Sequence, residues 1–411
     1  MPEHYDSLEK RDPQERERAL MAALSGQIGH AIRNAPGWAR ILVGVDPATV
    51  NSRAVLAKLP VTRKSDLMAL QGAERPLGGL NATPVAQLGK IFVSPGPIYD
   101  PEGRGRDWWR TARALFAAGL RPGDLAINAF AYHFTPAGSM LEAGAVALGC
   151  TVVPAGTGQT EMQVATIADL RANAYVGTPS FLKLIVEKAD ELKADISSLK
   201  KASVAAEYLP LALRAAMGER GIHVLQCYAS ADLGLIAYES EALEGMILDE
   251  GLILEIVRPG TGDPVPEGEV GEVVITTFNP DYPLVRFGTG DLSAVLPGRS
   301  PCGRTNTRIR GWMGRADQTT KVKGMFVHPS QVAEIVKRHG EITKARLVVD
   351  NPGGTDRMTL HCEVVVESDA LKAAIEASLR DITQLRGEVA FGKPGELPND
   401  GKVIEDAKKY E

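Results

Sequence analysis

The chain has 411 residues and a formal net charge of −5, and its basic residues are scattered rather than gathered in a tail. This length suits a large domain plus a small one, and the charge argues against nucleic-acid binding, which needs a basic excess. The polar N-terminus lacks a signal-peptide core, and the most apolar stretch, residues 140–153, contains Glu142 and is too short to span a bilayer. The four cysteines show no disulfide or CxxC pattern and fit a reducing compartment. We therefore expect a cytoplasmic protein without nucleic-acid or membrane partners.

The N-terminal part of the chain favours helices. Apolar residues from Leu20 to Ile32 recur at helical spacing, which predicts an amphipathic helix within residues 15–42. A second, shorter helix is predicted at residues 64–70.

From residue 110 onward, helical and strand patterns alternate. Predicted helices cover residues 110–120, 140–149, 161–172, 180–192 and 210–221, and predicted strands cover residues 124–132, 150–156, 174–179, 201–207 and 223–230. Short apolar strands separated by helices predict parallel βαβ units with right-handed crossovers. In such sheets ligands bind beyond the carboxyl ends of the strands, so the loops there are the first place to look for chemistry.

The pattern changes twice more before the C-terminus. Residues 251–259 and 270–278 predict an antiparallel hairpin. Beyond them, a small α+β unit is predicted from helices at 331–340 and 369–382 and strands at 345–350 and 358–366. The predicted fold class is α/β, with a large N-terminal domain of βαβ layers plus a β-hairpin subdomain (residues 1–316) and a small mobile C-terminal domain (residues 317–411).

Eight segments occur in the order and spacing of one known family. They are LAKLPVTRKSDL, FTPAG, LGCTVVPAGTGQTEMQV, VGTPSFL, VAAEYLP, CYASADLG, RFGTGDL and GRADQTTKVKGMFVHPSQV. Together they resemble the phenylacetate–CoA ligase branch of the adenylate-forming acyl/aryl-CoA synthetases, over residues 14–402. The resemblance implies that ATP, Mg²⁺ and coenzyme A take part with a carboxylic acid, and that the protein is a monomer or a homodimer.

The RFGTGDL segment implies a nucleotide-binding carboxylate. By the resemblance, Asp291 holds the ribose hydroxyls, and a carboxylate can accept hydrogen bonds from two neighbouring hydroxyls. Arg315 would reach the ribose or phosphate with its planar, always-charged guanidinium. For Asp291, a plain turn residue in a Gly-Thr-Gly sequence is the alternative.

The CYASADLG segment resembles the family's aromatic–Gly–x–Thr–acid motif. Tyr228 would pack against adenine, Ala229 would form the floor of the acyl pocket, and Asp232 would replace the usual Glu that binds Mg²⁺ and act in catalysis. The alternative for Asp232 is a capping residue where the strand enters a helix.

The VAAEYLP segment implies that Ala206 and Glu207 line the adenine site, with Tyr208 where the family often has proline. A solvent-facing Glu207 at a strand end is an equal alternative. Ser94, in the segment KIFVSPGPIYDPE, is the surviving hydroxyl of the family's phosphate loop.

In the small domain, the resemblance makes Asp317 the hinge and places Gly324 at the pantetheine tunnel, where a missing side chain permits close approach. Lys402 is the candidate catalytic lysine, whose ammonium would neutralise charge at the α-phosphate. A solvated terminal lysine is the alternative for Lys402.

The phosphate loop is where the chain departs most from the family. The family loop is rich in Ser, Thr and Gly and ends in Gly–Lys–Pro, whereas this chain lacks the hydroxyl pair and the lysine and has Pro95, Pro97 and Pro101. Proline removes backbone donors, and a phosphate cradle needs converging N–H groups and hydroxyls. Arg104 and Arg106 are candidates for replacing the lost charge.

The family's zinc variant is not expected here. Of its cysteine ligands only Cys302 is present, with Ser240 and Ser300 near other expected ligand positions. One thiolate is too few for a closed tetrahedral zinc site.

The resemblance predicts ATP-dependent activation of an aromatic carboxylic acid and its transfer to coenzyme A. The acyl pocket is predicted from aromatic and small residues that suit a flat ring, namely Tyr132, Phe134, Ala137 and Gly138. Two other functions stay open: an adenylate former that passes its product to an amine or a carrier protein, and a non-catalytic relative that binds a nucleotide or an aromatic acid.

Overall fold

The structure is a computed structural model, and it describes residues 3–258, 261–313, 315–316, 320–323, 325–327, 329–352, 355–398 and 402–408. The chain forms two compact units, one of residues 1–289 with 293–312 and the other of residues 290–292 with 313–411. The predicted boundary at residues 316/317 is a hinge between domains that move relative to each other. Units defined by contacts do not test such a hinge, so the boundary stays a prediction.

The large unit contains most of the helices and strands. Its α-helices are α1 (Pro13–Asn34), α2 (Pro36–Ile41), α3 (Arg53–Leu56), α4 (Leu67–Ala73), α5 (Ala112–Ala117), α6 (Ala137–Leu148), α7 (Thr160–Leu170), α8 (Pro179–Leu192) and α9 (Leu211–Glu219). Short 3₁₀ helices cover Ser7–Lys10, Pro47–Thr49, Lys64–Asp66 and Val85–Gln87. Its strands are β1 (Thr62–Arg63), β2 (Lys90–Ser94), β3 (Ile98–Glu102), β4 (Leu125–Asn128), β5 (Thr151–Pro154), β6 (Ala174–Gly177), β7 (Lys201–Val204), β8 (His223–Ser230), β9 (Gly234–Glu239), β10 (Met246–Leu248), β11 (Leu252–Val257), β12 (Gly271–Thr277), β13 (Phe287–Ser293), β14 (Val295–Leu296) and β15 (Arg308–Ile309).

The first long predicted helix is divided into two. Asp12 caps α1 by accepting the amides of Gln14 and Glu15. The helix ends at Asn34, and Pro36 begins α2, because proline disfavours helical backbone at the residue before it but is well suited to a first helical position.

A nine-stranded sheet organises the large unit, in the order β14-β15-β10-β9-β8-β7-β6-β4-β5. The strands from β5 to β8 pair in parallel, which confirms the predicted α/β class and its βαβ units. On its other side, β8 pairs antiparallel with β9, and β10, β15 and β14 continue the antiparallel half. That half was not predicted.

Two smaller sheets complete the large unit. The order β1-β13-β12-β11 includes the predicted antiparallel pair β11 and β12, with Leu252 opposite Thr277. Strands β2 and β3 form a hairpin by themselves, with Ser94 opposite Ile98. This β2–β3 hairpin, residues 90–102, occupies the segment that resembles the phosphate loop.

The N-terminal segment contributes a buried carboxylate to the large unit. Glu9 is 1% exposed. Its carboxylate accepts hydrogen bonds from the Tyr238 hydroxyl at 2.8 Å and from Arg304 Nε at 3.0 Å, and Arg113 Nη1 lies 3.2 Å away. Burial of a charge is tolerated when it is paired in this way.

The small unit is an α+β structure. Its elements are β16 (Thr320–Val322), β17 (Met325–Val327), α10 (Pro329–Arg338), β18 (Ile342–Asp350), β19 (Arg357–Val364), α11 (Asp369–Thr383), β20 (Glu388–Gly392) and β21 (Ile404–Asp406). A four-stranded sheet has the order β20-β19-β18-β21, and α10 and α11 supply apolar side chains to its core, among them Ile335 and Leu379.

No helix within the described part of the chain combines the length and the hydrophobicity that a bilayer crossing requires.

Candidate active site

The loop after β7 lies beside the carboxyl end of β8, as expected for neighbouring parallel strands. Ala206 has a left-handed backbone, with φ of 69°. Gln226 Nε2 donates to the backbone oxygen of Glu207 at 2.8 Å, and Glu207 Oε2 accepts the amide of Ser180 at 3.2 Å. Ala206, Glu207 and Tyr208 are all exposed, so the predicted adenine loop is held at both sides while its surface stays open to a ligand.

Tyr228 stands on β8, close to its end. Its side chain is half-buried, and its hydroxyl donates to Thr289 Oγ1 at 3.4 Å. Ala229 follows it and pairs across the sheet with Leu235. These two predicted ligand residues therefore occupy the strand at which the nine-stranded sheet changes from parallel to antiparallel.

Asp232 lies in a tight turn of residues 231–233 that joins β8 to β9. The alternative interpretation, in which Asp232 caps a helix, is wrong, because the chain turns back as an antiparallel strand. Its side chain is fully buried, and its Oδ2 accepts a hydrogen bond from Lys64 Nζ at 2.6 Å.

Asp100, on β3, faces Asp232. Burial and the negative charge of Asp232 raise the pKa of Asp100 to about 7, although Lys64 and a hydrogen bond from Ser94 act in the opposite direction. The Ser94 hydroxyl also lies 3.5 Å from the backbone oxygen of Ile98. Ser94, which was predicted to bind the nucleotide, is only 7% exposed. Its hydroxyl interacts with residues of the hairpin to which it belongs.

Hydrogen bonds attach the β2–β3 hairpin to its surroundings. The Gln71 side chain donates to the Tyr99 backbone oxygen at 2.8 Å and accepts the Tyr99 amide at 2.9 Å, in the manner of a neighbouring strand. On the other strand, the Val93 amide donates to the backbone oxygen of Phe134 at 2.8 Å. The hairpin is therefore held from both of its edges.

Glu102 joins the same hairpin to the helix α6. Its Oε1 accepts Lys90 Nζ at 2.9 Å, and its Oε2 accepts Trp109 Nε1 at 2.7 Å and the Ser139 hydroxyl at 2.8 Å. Glu102 is 8% exposed, and Trp109 is fully buried. Both carboxylate oxygens are occupied by protein donors.

Three of the four residues predicted for the wall of the acyl pocket gather at the start of α6. The Tyr132 hydroxyl accepts Asn128 Nδ2 at 2.8 Å, while burial and a hydrogen bond to Glu142 raise the pKa of Tyr132. A Cβ on Gly138 would lie 2.6 Å from the Ala131 backbone oxygen and 2.9 Å from Tyr132 Cδ2, so glycine is needed for this close packing. Ala137 is the first residue of α6.

Phe134, the fourth of these residues, has a different environment. Its backbone is left-handed, with φ of 61°, and its side chain is 73% exposed. The hairpin contact described above uses its backbone oxygen, which leaves the ring at the surface.

Asp291 lies on β13, but residues 290–292 of that strand belong to the small unit, where Asp291 and Arg315 form an ion pair. Arg315 Nη1 donates to Asp291 Oδ1 at 3.1 Å, and the two residues pair as an isolated antiparallel bridge. Gly290 has φ of 75°, and a Cβ there would lie 2.9 Å from Arg315 Nη2. Two residues that were predicted from distant segments to bind the nucleotide are thus in contact.

Lys402 is exposed and lies two residues before β21, the last strand of the small unit. Its backbone oxygen accepts Arg346 Nε at 3.2 Å, which fixes the main chain at this point of the sheet. Asp317 and Gly324 lie outside the described residues.

Known proteins give matches over nearly the whole chain. Residues 107–279 match the family model "AMP-binding enzyme". The phenylacetate–coenzyme A ligase of Thermus thermophilus is 30% identical over 425 residues, covering 94% of this chain and 94% of the relative. The corresponding ligase of Escherichia coli is 32% identical over 378 residues, covering 87% of this chain and 85% of the relative.

The chain belongs to the phenylacetate–CoA ligase family, whose members are AMP-forming CoA ligases. A solved structure of 2-hydroxyisobutyryl-CoA ligase in complex with 2-HIB-AMP and CoA agrees in fold, with a TM-score of 0.75 at 22% identity, covering 100% of this chain and 95% of that one.

The sequence interpretation did not name Lys64 and Asp100 as candidate site residues, although both interact with Asp232. Lys64 lies in one of the family segments and carries no signal of its partner, which is 168 residues away. Asp100 precedes Pro101 in the segment that resembles the family's phosphate loop, where the resemblance implies a lysine before the proline, and this difference in charge was the available signal.

The three positions that resemble zinc ligands of other family members converge in space. Burial raises the pKa of the Cys302 thiol, but hydrogen bonds from Ser240 and Ser300 and the proximity of Arg304 outweigh it, so the pKa lies below its usual value. Ser300 Oγ lies 3.0 Å from Cys302 Sγ. Two hydroxyls thus stand beside the remaining thiol, and the absence of zinc stays a prediction.

Proposed function

We propose that the protein uses ATP to convert an aromatic carboxylic acid into its acyl adenylate and then transfers the acyl group to coenzyme A. The products are an aryl-CoA thioester, AMP and pyrophosphate. One observation carries this proposal: the similarity to the Thermus phenylacetate–coenzyme A ligase extends over 94% of both chains, and it therefore includes the segments of both compact units.

The nucleotide would be recognised mainly through charge and stacking. Asp291 would accept the ribose hydroxyls, and Arg315, already paired with Asp291, would turn part of its guanidinium toward the ribose or the phosphate. Tyr228 would pack against adenine, with the loop of Ala206, Glu207 and Tyr208 around it.

Mg²⁺ fits the chemistry of the Asp232 turn. The buried Oδ1 atom of Asp232 has no hydrogen-bond partner among the described residues, and a hard carboxylate oxygen is a ligand that Mg²⁺ prefers. When bound, the ion would neutralise phosphate charge as pyrophosphate leaves. No cluster of three or more metal-binding side chains occurs in the described ranges. Mg²⁺ commonly binds through one or two carboxylates together with water and substrate phosphates.

Lys402 would provide the positive charge for the first half-reaction. The attack of the carboxylate on the α-phosphorus gathers negative charge, which an ammonium stabilises electrostatically. By the family resemblance, Asp317 would act as the hinge and Gly324 would lie at the approach of coenzyme A.

The acid would bind against the loop that precedes α6. Tyr132, Ala137 and Gly138 would contribute to one wall, with Ala229 as the floor. Aromatic and small side chains together suit a planar ring. The exposed Phe134 would complete the wall only by moving inward.

The decisive experiment measures pyrophosphate release with ATP, Mg²⁺ and a panel of aryl acids, with and without coenzyme A. We expect acid-dependent release and formation of a thioester. The Lys402→Ala variant should release pyrophosphate at least about a hundredfold more slowly. Lys372→Ala, an exposed lysine on α11, is the matched control and should behave like the wild type.

The remaining outcomes separate the alternatives. Acid-dependent release without any thioester would favour transfer to an amine or a carrier protein. No release with any acid, combined with measurable nucleotide binding, would favour a non-catalytic relative and would contradict the proposal.

A further inference from the structure

Two carboxylates are buried together beside the β2–β3 hairpin. Asp100 is 1% exposed and Asp232 is 4% exposed, and their carboxyl groups lie within hydrogen-bonding reach of each other. Oδ2 of Asp100 and Oδ1 of Asp232 are nevertheless buried without a hydrogen-bond donor among the described residues. When both groups are ionised, these acceptors repel each other and have lost their water, so the arrangement favours a positive charge between them, either a shared proton or a cation.

Lys64 provides only part of that charge. Its Nζ contacts Oδ2 of Asp232 and leaves Oδ1 unpaired. The Lys64 side chain is 27% exposed, whereas that of Asp232 is fully buried, so the ammonium lies on the solvent side of the pair. When both carboxyl groups are ionised, one ammonium cannot balance their two negative charges.

We propose that Asp100 and Asp232 together bind one divalent cation, Mg²⁺ in the reaction, and that the ammonium of Lys64 leaves Asp232 when the cation enters. This rests on the proposed function, in which the family resemblance assigns Mg²⁺ to the Asp232 position alone. Mg²⁺ is typically held by one or two carboxylates, with waters and substrate phosphates at the other positions. The hydroxyl of Ser94, which hydrogen-bonds to Asp100, adds a neutral oxygen nearby.

The charge reversal at Asp100 agrees with this role. A lysine at this place, as in the family's Gly–Lys–Pro sequence, would repel a cation bound to Asp232, whereas an aspartate attracts it. The chain has also lost the hydroxyls of the family loop. A cation held by two carboxylates would therefore contact phosphate oxygens where the loop's own donors are missing.

The test titrates the full-length protein with Mn²⁺ alone and follows free Mn²⁺ by electron paramagnetic resonance. The wild type should bind one Mn²⁺. Asp100→Asn and Asp232→Asn should each weaken binding by about tenfold or more, since each removes a charged ligand. Lys64→Met should bind Mn²⁺ more tightly, because the competing ammonium is gone.

Glu102→Gln is the matched control. It removes a buried carboxylate from the same strand, but one whose two oxygens already accept protein donors, so Mn²⁺ affinity should change by less than about twofold. Thermal denaturation verifies the folding of every variant. We expect Asp100→Asn to melt no lower than the wild type, because it relieves repulsion within the pair.

Two results would overturn the inference: a wild type that binds no Mn²⁺, or an Asp100→Asn variant that binds it as the wild type does. Should Asp100→Asn fail to fold, the comparison of Lys64→Met with the wild type decides, and unchanged affinity contradicts the inference. Pyrophosphate release by a wild type that fails the Mn²⁺ test would leave the ligase proposal standing. Mn²⁺ binding without any pyrophosphate release would support the cation site and contradict the ligase proposal.

Discussion

The β2–β3 hairpin and the Asp291–Arg315 pair differ in how closely their sequences follow the family pattern. The pair has the residues that the resemblance implies, whereas the hairpin has few of them. In the pair, both family residues are present and contact each other while part of each side chain remains exposed. In the hairpin, the family residues are largely replaced, and the polar groups of Glu102 are all used within the protein. The pair thus keeps part of its surface accessible, whereas the polar groups of Glu102 in the hairpin are satisfied within the protein.

The largest effect is expected from Glu102→Ala, which tests whether the hairpin is a fixed part of the core. The substitution leaves the buried Trp109 N–H and the Ser139 hydroxyl without an acceptor, and should reduce the free energy of unfolding by about 3 kcal/mol. Urea denaturation measures the change. Lys90→Ala removes the exposed partner from the same network, since Lys90 is 54% exposed, and should cost about 1 kcal/mol or less. Equal losses in the two variants would contradict the role of Glu102.

Asp291→Ala tests the retained side of the comparison. It removes the acceptor of Arg315 and of the ribose hydroxyls, so AMP affinity should fall by about 30-fold, or about 2 kcal/mol. Isothermal titration calorimetry with AMP provides the measurement. Asp291→Asn keeps the shape and one acceptor oxygen and should give a smaller loss. An unchanged affinity in Asp291→Ala would remove Asp291 from the nucleotide site.

Gly290→Ala examines the same pair through its neighbour. The new Cβ would be placed 2.9 Å from Arg315 Nη2 on a backbone with φ of 75°, and should displace the guanidinium and lower AMP affinity by about fivefold. Gly298→Ala is the control, because its φ is 78° but its Cβ would meet Arg308 Nη2 only at 3.9 Å. Gly298→Ala should lower the free energy of unfolding by a similar amount, because it also places a Cβ on a left-handed backbone, while its AMP affinity stays at the wild-type value. A similar loss of affinity in both variants would refute the argument.

The smallest effect is expected at Cys302, which lies in the segment that resembles the zinc-binding segment of other family members. Its pKa is lowered, so the reactive thiolate forms at a lower pH than in an ordinary cysteine. Burial instead raises the pKa of Cys150 to about 11, and those of Cys227 and Cys362 to about 12. Mass spectrometry after brief treatment with iodoacetamide at pH 7.5 should find Cys302 alkylated first, and its rate should fall as the pH is lowered. Preferential labelling of any other cysteine would contradict the stated environment.

The parallel half of the large sheet could be predicted because each short apolar strand is followed by a helix of regular periodicity. The antiparallel half could not. Strand β10 has three residues and β15 has two, which is too short for an alternation of polar and apolar residues to be recognised. Strand β3 was missed because Pro101 within it and Pro95 and Pro97 just before it are typical of loops, although Pro101 pairs with Ile91 in the hairpin.

The family pattern names candidate site residues, whose roles stay predictions, but it does not predict the contacts that the tertiary structure creates between them. Asp291 and Arg315 were both named from their segments, and the contact between them is a finding of the structure. The pairing of Lys64 with Asp232 depends on how a 3₁₀ helix and a distant turn meet. A local sequence pattern contains no information about such a tertiary contact, so neither Lys64 nor Asp100 was named as a candidate site residue.

Glu9 has a consequence for the order in which the protein is made. Glu9 precedes its partners along the chain: the hydroxyl of Tyr238 and the guanidinium of Arg304 that bind it are synthesised 229 and 295 residues later. Chains fold as they emerge, with N-terminal segments appearing first. The carboxylate of Glu9 therefore cannot make these hydrogen bonds until both partners have been synthesised. We therefore expect Glu9 to reach its buried pairing later than the segments of the large unit whose contacts are local in sequence.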